Sequence, residues 1–537
     1  MADSKETKTT PFVRNATGLV KSISPTDVFV FTLMVAGPIV FIPLAAITLP
    51  SAYEGVSPIY IMLLTLGILI PFSYNTVCLV SSLPRAGGDY VFGSRIVHPI
   101  WGMIPAFMNL FSMIVGSGTI GISGLQAYFG PTISTAFPSE AKAVANLVFT
   151  PSSLFLLNLV IILGLYGLAI ARTKWWFYFL RIVTAYGLLM VVVFIGFLLL
   201  TPHATIVNNF NTQNLTGYSM TGVTTSAAGA TWNSSVAGTI VVGAGALIFV
   251  LLFLAAPISA FFAGEMKNAT RSITVGMFGG STISWILATA GALGIIYVFG
   301  YSFMSAFGFE AFSNPATNTS GLFNFSVLVQ AVVGNPTLTF LIGLGIALAS
   351  LGFLAGGILP ASRILFAWSF DRMIPARFAS VNSRTNTPIF ALVFLIIAAN
   401  VVSYISSFSP TFLGPFLAFS VIVVVAFLPN GLTAALLPFL KKDIYRSAPS
   451  IVQKKIAGFP LLTISGIIHA LAFGTILALV FANPAYAGTS NGALGPGALA
   501  VIAVAILISI IFYPIAKAIR KSQGIDLDAI YKEIPPE

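Results

Sequence analysis

The chain has 537 residues, 57% of them hydrophobic and only 7% charged, with a formal net charge of +11. A water-soluble domain carries about 25% charged residues, so most of this surface faces something other than water and a soluble enzyme or binding module is excluded. The single cysteine, Cys78, excludes an intramolecular disulfide framework. His98, His203 and His469 lie too far apart for any metal-ligand spacing, so no metal site is expected.

Residues 1–21 are polar and lack the apolar core and small-residue cleavage site of a signal peptide. The first apolar run is therefore expected to remain as a membrane helix. A bilayer core needs about 20 apolar residues per helix. Candidate spans are 28–49, 58–82, 97–129, 152–171, 177–201, 236–264, 274–300, 338–369, 388–407, 413–440, 459–481 and 497–518. That count is even, which places both tails on one side. All 25 basic residues except Lys142 fall on the tail side of this topology, so by the positive-inside rule both termini are expected in the cytoplasm. The stretches 202–235 and 301–335 are polar and nearly uncharged and read as outer loops. They carry Asn-x-Ser/Thr sequons at Asn214, Asn233, Asn318 and Asn324, which are either glycan acceptors or chance matches in Asn/Ser/Thr-rich sequence.

Two spans carry interruptions. The first contains Ala36-Gly37-Pro38-Ile39, and the sixth contains Phe253-Leu254-Ala255-Ala256-Pro257-Ile258-Ser259. Proline removes a backbone donor and clashes with the preceding turn, so each helix kinks or breaks there. A broken backbone at membrane depth survives only inside protein or beside a wet cavity. Interrupted segments at equivalent positions of two halves mark the substrate site of inverted-repeat transporters. This predicts an all-α integral membrane protein of twelve transmembrane helices in a 5+5 inverted repeat, with helices 1 and 6 discontinuous. The expected divisions are a tail (1–24), a first repeat (25–201), a polar outer loop (202–235), a second repeat (236–440), helices 11 and 12 with their basic loop (441–519), and a second tail (520–537). Gly116-Ser117-Gly118-Thr119-Ile120-Gly121 fits a dinucleotide fingerprint in form only. It lies in an apolar run with no preceding strand, and helix packing by small residues explains it better.

Three further motifs carry a resemblance. They are Leu83-Pro84-Arg85-Ala86-Gly87-Gly88-Asp89-Tyr90, Glu265-Met266-Lys267-Asn268-Ala269-Thr270-Arg271-Ser272-Ile273, and Ser362-Arg363 through Asp371-Arg372-Met373-Ile374-Pro375 to Thr387-Pro388. Over most of residues 24 to 440 the chain resembles the amino acid–polyamine–organocation superfamily of permeases. Ala269 stands where that family usually has proline, and Phe370 where it has arginine. The resemblance implies alternating-access transport of amino acids or related amines, with no catalytic residue and no bound cofactor.

Substrate binding is expected from backbone exposed at the breaks. N–H groups at a helix N-terminus receive a carboxylate, and carbonyls at a helix C-terminus receive an ammonium. The candidate substrate residues are Ala36, Gly37, Pro38, Ile39, Ala255, Ala256, Pro257 and Ile258, with Phe253 and Ser259 shaping side-chain selectivity. No carboxylate lies mid-membrane in spans one or six, which favours a neutral amino acid over a polyamine. Arg181 falls where some relatives place a lysine in the fifth helix. It reads either as a fixed counter-charge for coupling or as an arginine reaching the headgroups; arginine cannot itself carry the proton. The eighth span lacks the adjacent hydroxyl pair of sodium-coupled relatives around Ser350-Leu351-Gly352-Phe353-Leu354. A proton gradient or exchange is therefore expected to drive transport, without sodium. The expected partners are a small-molecule amino acid and membrane lipid, in a plasma-membrane protein that is a monomer or homodimer.

Overall fold

The structure, a computed structural model, describes residues 19–53, 55–214, 216–227, 234–254, 257–312, 323–382, 384–409, 419–482 and 496–532. The helices that frame the site are α1 (Pro25–Val35), α2 (Pro38–Ala52), α3 (Pro58–Ser82), α4 (Asp89–Ile96), α5 (Pro99–Gly124), α6 (Pro151–Ala171), α7 (Thr173–Leu200) and α8 (Val236–Leu254). They continue with α9 (Ser281–Phe299), α10 (Pro336–Phe370), α11 (Ile389–Phe408), α12 (Phe419–Leu440), α13 (Leu461–Ala482), α14 (Pro496–Ser522) and α15 (Leu527–Lys532).

Among the described residues, eleven helices are long and apolar enough to cross a bilayer, and they fall on eleven of the twelve expected spans. The remaining span, 236–264, is α-helical only over α8. The first span lies deepest, with 83% of its most apolar window buried, against 28% for α11 and 33% for α6 and α7. Burial of this kind ranks the helices: α1 and α2 are wrapped by protein, and the outer ones turn apolar faces to lipid. α1 packs on the π-helical turn Val275–Gly280, α2 on α9, and α8 on α3. A second set joins α5 to α10, α11 and α12, α7 to α10, and α6 to α11. Small residues set these approaches. A methyl group on Gly118 would meet Val402 at 2.5 Å, and Asn158 Nδ2 donates to the Gly118 carbonyl at 2.9 Å, so the Gly116–Gly121 stretch is a packing surface.

The outer stretches differ from the expected loops. They hold the short helices His203–Gln213, Met220–Ser226, Tyr301–Phe312 and Phe325–Val333. Each has an apolar side that reaches the core, with Ile206, Phe210, Val223, Phe303 and Phe307 buried. Local caps start two of them: Ser219 accepts from the Gly222 N–H, and Asn324 Oδ1 accepts from Ser326 and Val327. The sequon residue Asn324 is thus occupied in capping; Asn214 is exposed, and Asn233 and Asn318 lie outside the described residues.

Candidate functional site

The first interruption is a true break. Ser24 and Asp27 form a reciprocal capping box, with Pro25 in the first turn, and start α1. The helix ends at Ala36, and Gly37 takes a left-handed conformation (φ 52°, ψ 40°) before Pro38 opens α2. A side chain at Gly37 would be strained by that φ and would stand 3.3 Å from the Phe353 ring of α10. Among the described residues, the N–H groups of Ile39 and Val40 have no protein hydrogen-bond partner, nor do the carbonyls of Val35 and Ala36. A helix C-terminus and a helix N-terminus therefore meet here with bare backbone, buried within protein. Tyr128 of the π-helical turn Leu125–Phe129 donates to the Val40 carbonyl at 3.3 Å.

The second interruption follows α8. Ala255 and Ala256 lie outside the described residues, and of Phe253 and Pro257 only the backbone is described. The chain resumes as 3₁₀ turns, Pro257–Phe261 and Ala263–Glu265, and returns to α-helix at Ala269. Buried backbone outside an α-helix must find partners elsewhere. Phe261 gives its carbonyl to the Gly87 N–H at 2.9 Å, and Ala86 and Phe262 form an antiparallel bridge. On the other flank Ile23 donates to the Glu265 carbonyl and accepts from the Lys267 N–H, both at 3.0 Å. The Gly87-Gly88 pair is required because both φ angles are positive and a methyl on Gly88 would meet Phe261 at 2.9 Å. The 83–90 motif is thus the strand-like partner of the unwound segment.

Packed clusters lie on both sides of the breaks. On the tail side Phe31, Phe262, Trp176 and Phe177 form one aromatic cluster, with Phe31 edge-on to Phe262 at 4.8 Å between centroids. Asp27 of α1 pairs with Arg181 of α7 at 2.5 Å. Glu265 takes a two-pronged grip from Arg363 of α10, Nε to Oε1 at 2.7 Å and Nη2 to Oε2 at 2.8 Å, with both side chains buried. On the opposite side Phe41, Phe249 and Tyr53 gather. There Ser235 N–H donates to Gly55 O at 2.8 Å, Ser57 N–H to Thr239 Oγ1 at 2.8 Å and Tyr301 OH to Val56 O at 3.1 Å.

A second buried node sits beside the hairpin. Arg95 reaches both oxygens of Asp371 at 2.7 Å, and Tyr90 donates to Asp371 at 2.7 Å. Because the Tyr90 proton is committed to Asp371, Tyr531 of α15 donates to Tyr90 across 2.7 Å, while Arg95 lies 4.7 Å from the Tyr531 ring centre. Burial and the Asp371 charge push both phenols well above their ordinary pKa, which keeps them protonated donors.

The structure brings Ala36, Gly37, Pro38 and Ile39 together at the first break, all buried. At the second, Ile258 is half-buried, and Ser259 is buried with its hydroxyl 3.9 Å from Met277 Sδ. Arg181 is 39% exposed and held by Asp27. Sequence reasoning missed Phe353, Tyr128 and the Phe31–Phe262–Trp176 cluster. It also missed both ion-pair partnerships, although Ser24-Pro25-Thr26-Asp27 was readable as a cap.

The first interrupted helix pair is buried among helices that turn apolar faces outward. An amino acid permease family model matches residues 26–511, and the chain belongs to that family. No curated protein matches the chain. The family is one of transporters for amino acids or related organic cations, which fits a multi-pass membrane protein with a small-molecule substrate.

Proposed function

We propose that the chain is a secondary active transporter of neutral, zwitterionic amino acids that works by alternating access. The carrying observation is the bare backbone at Val35–Val40. The unpartnered N–H groups of Ile39 and Val40 suit a carboxylate, and the carbonyls of Val35 and Ala36 suit an ammonium. Two carboxylates that flank the breaks, Asp27 and Glu265, are already engaged by Arg181 and Arg363. A dication such as a polyamine would find no free counter-charge in either of these two, whereas a zwitterion needs none. Support for two inverted repeats comes from the bridges: Ile23 pairs with Met266 before α1 and after the second break, and Val56 pairs with Ser235 after α2 and before α8, both parallel. The packed clusters on both sides of the breaks support an alternating-access reading in which parting of either one admits substrate. The basic residues on the tail side support a cytoplasmic placing of both tails, and the plasma membrane is part of the same proposal.

The test is counterflow in proteoliposomes loaded with a panel of unlabelled amino acids, with and without sodium and a pH gradient. Saturable exchange of a neutral amino acid, independent of sodium, is expected. Exchange of polyamines alone would replace this substrate assignment, and unsaturable flux would indicate a channel.

A further inference from the structure

A carrier driven by a proton gradient needs a side chain that takes up and releases the proton, and an arginine cannot. Asp89, the first residue of α4, is only 1% exposed. Its partners are two neutral amides. Asn109 Nδ2 of α5 donates to Oδ2 at 3.1 Å, and the Asn430 amide of α12 favours its charged form. Among the described residues, the charged groups of the surrounding elements are engaged elsewhere. α5 and α12 contain no ionisable side chain at all. On α4, Tyr90 and Arg95 are turned to Asp371; on the unwound segment and α10, Glu265 and Arg363 hold each other. On α3, Tyr74 donates to the Ile451 carbonyl and Cys78 is buried, and His469 of α13 faces Asn75. Tyr531 of α15 is committed to Tyr90.

We propose, resting on the transport reading above, that Asp89 is the side chain that binds and releases the coupling proton. In the closed state it is a neutral carboxylic acid. A buried carboxylate without a cation is costly, and burial raises the Asp89 pKa to about 7, with the Asn430 and Asn109 amides opposing that rise. Asp89 directly follows Gly87-Gly88, whose Gly87 N–H holds the Phe261 carbonyl of the unwound helix. When the proton leaves to water, the carboxylate draws water toward the hairpin. The Gly87–Phe261 bond then yields and the tail-side seal loosens. Reprotonation lets the acid return to its amide cage and the seal re-form.

The test uses the full chain in proteoliposomes with a trapped pH dye and the labelled neutral amino acid found by counterflow. With D89N, amino-acid-driven proton entry is expected to fall to the level of empty vesicles, while counterflow persists and loses its pH dependence. Infrared titration of the purified protein gives a readout independent of transport. Wild type is expected to show a carboxylic acid band titrating near pH 7 that D89N lacks, and N430L, which removes a donor to the carboxylate, is expected to move it to higher pH. Thermal stability adds a sign check. The folded state keeps a proton that the unfolded chain releases near the ordinary value of 3.8, so stability falls as pH rises from there to about 7 and then levels off. D89N is expected to abolish that slope. Proton entry that survives in D89N, wild-type net uptake of the amino acid that moves no protons, or a missing infrared band each overturns the proposal. Failure of every amino acid to exchange overturns the transport reading instead.

Discussion

The two ends of the interrupted helix pair are closed by different chemistry. On the tail side the seal rests on buried or half-buried charges, Glu265 with Arg363 and Asp27 with Arg181, beneath an aromatic cluster. On the opposite side it rests on neutral hydrogen bonds from Ser235, Ser57 and Tyr301 around Phe41 and Phe249. A neutral bond contributes about 0.5–1.5 kcal/mol net. A buried ion pair is closer to all-or-none, because removing one partner strands a charge in low dielectric at a cost of about 3–5 kcal/mol. The tail-side seal should therefore break in discrete ionic steps, and the other should loosen gradually.

The sharpest way to break this contrast is Arg363→Met. It strands Glu265 and is expected to cost about 3–5 kcal/mol, seen as a large fall in thermal stability and in counterflow. The double variant Glu265→Gln/Arg363→Met should recover most of the stability, since no charge is left unpaired. Next comes Gly88→Ala. A non-glycine residue at φ 49° carries strain of about 1–3 kcal/mol, and its methyl would displace Phe261. Reduced stability with increased labelling of a tail-side cysteine probe, in a Cys78→Ser background, is expected. On the opposite seal Tyr301→Phe removes one bond to the Val56 carbonyl, at about 1 kcal/mol, and should shift apparent affinity more than folding. Smallest is the stability effect of Arg181→Met. With its side chain 39% exposed, the pair with Asp27 is expected to contribute no more than about 1 kcal/mol. If Tyr301→Phe proved as damaging as Arg363→Met, the distinction between the two seals would fail.

The two helix breaks were legible along the chain, for a local reason. Proline and glycine act on their own backbone, so the breaks at Gly37-Pro38 and before Pro257 followed from a few consecutive residues. Lipid likewise imposes a length on each apolar run, and eleven of the expected spans were recovered. Membership of the amino acid permease family was readable in the same way, because its motifs are short contiguous strings. The outer stretches were misread as loops because their helices draw stability from tertiary packing of residues such as Phe210 and Phe303, which weak local periodicity does not reveal.

What only the tertiary structure decided is which residues meet. Arg181 and Asp27 are separated by 154 positions, and Arg363 and Glu265 by 98, and no local rule selects those pairs over other charges on the same side. Phe353 against Gly37, and Gly87 as the partner of Phe261, also depend on how helices stack after insertion. Asp89 illustrates the difference most clearly. As sequence it is a charge in a turn beside the membrane. Folding buries it beside Asn109 and Asn430, because α4 packs along α5, and the role proposed for its carboxyl group depends on those neighbours.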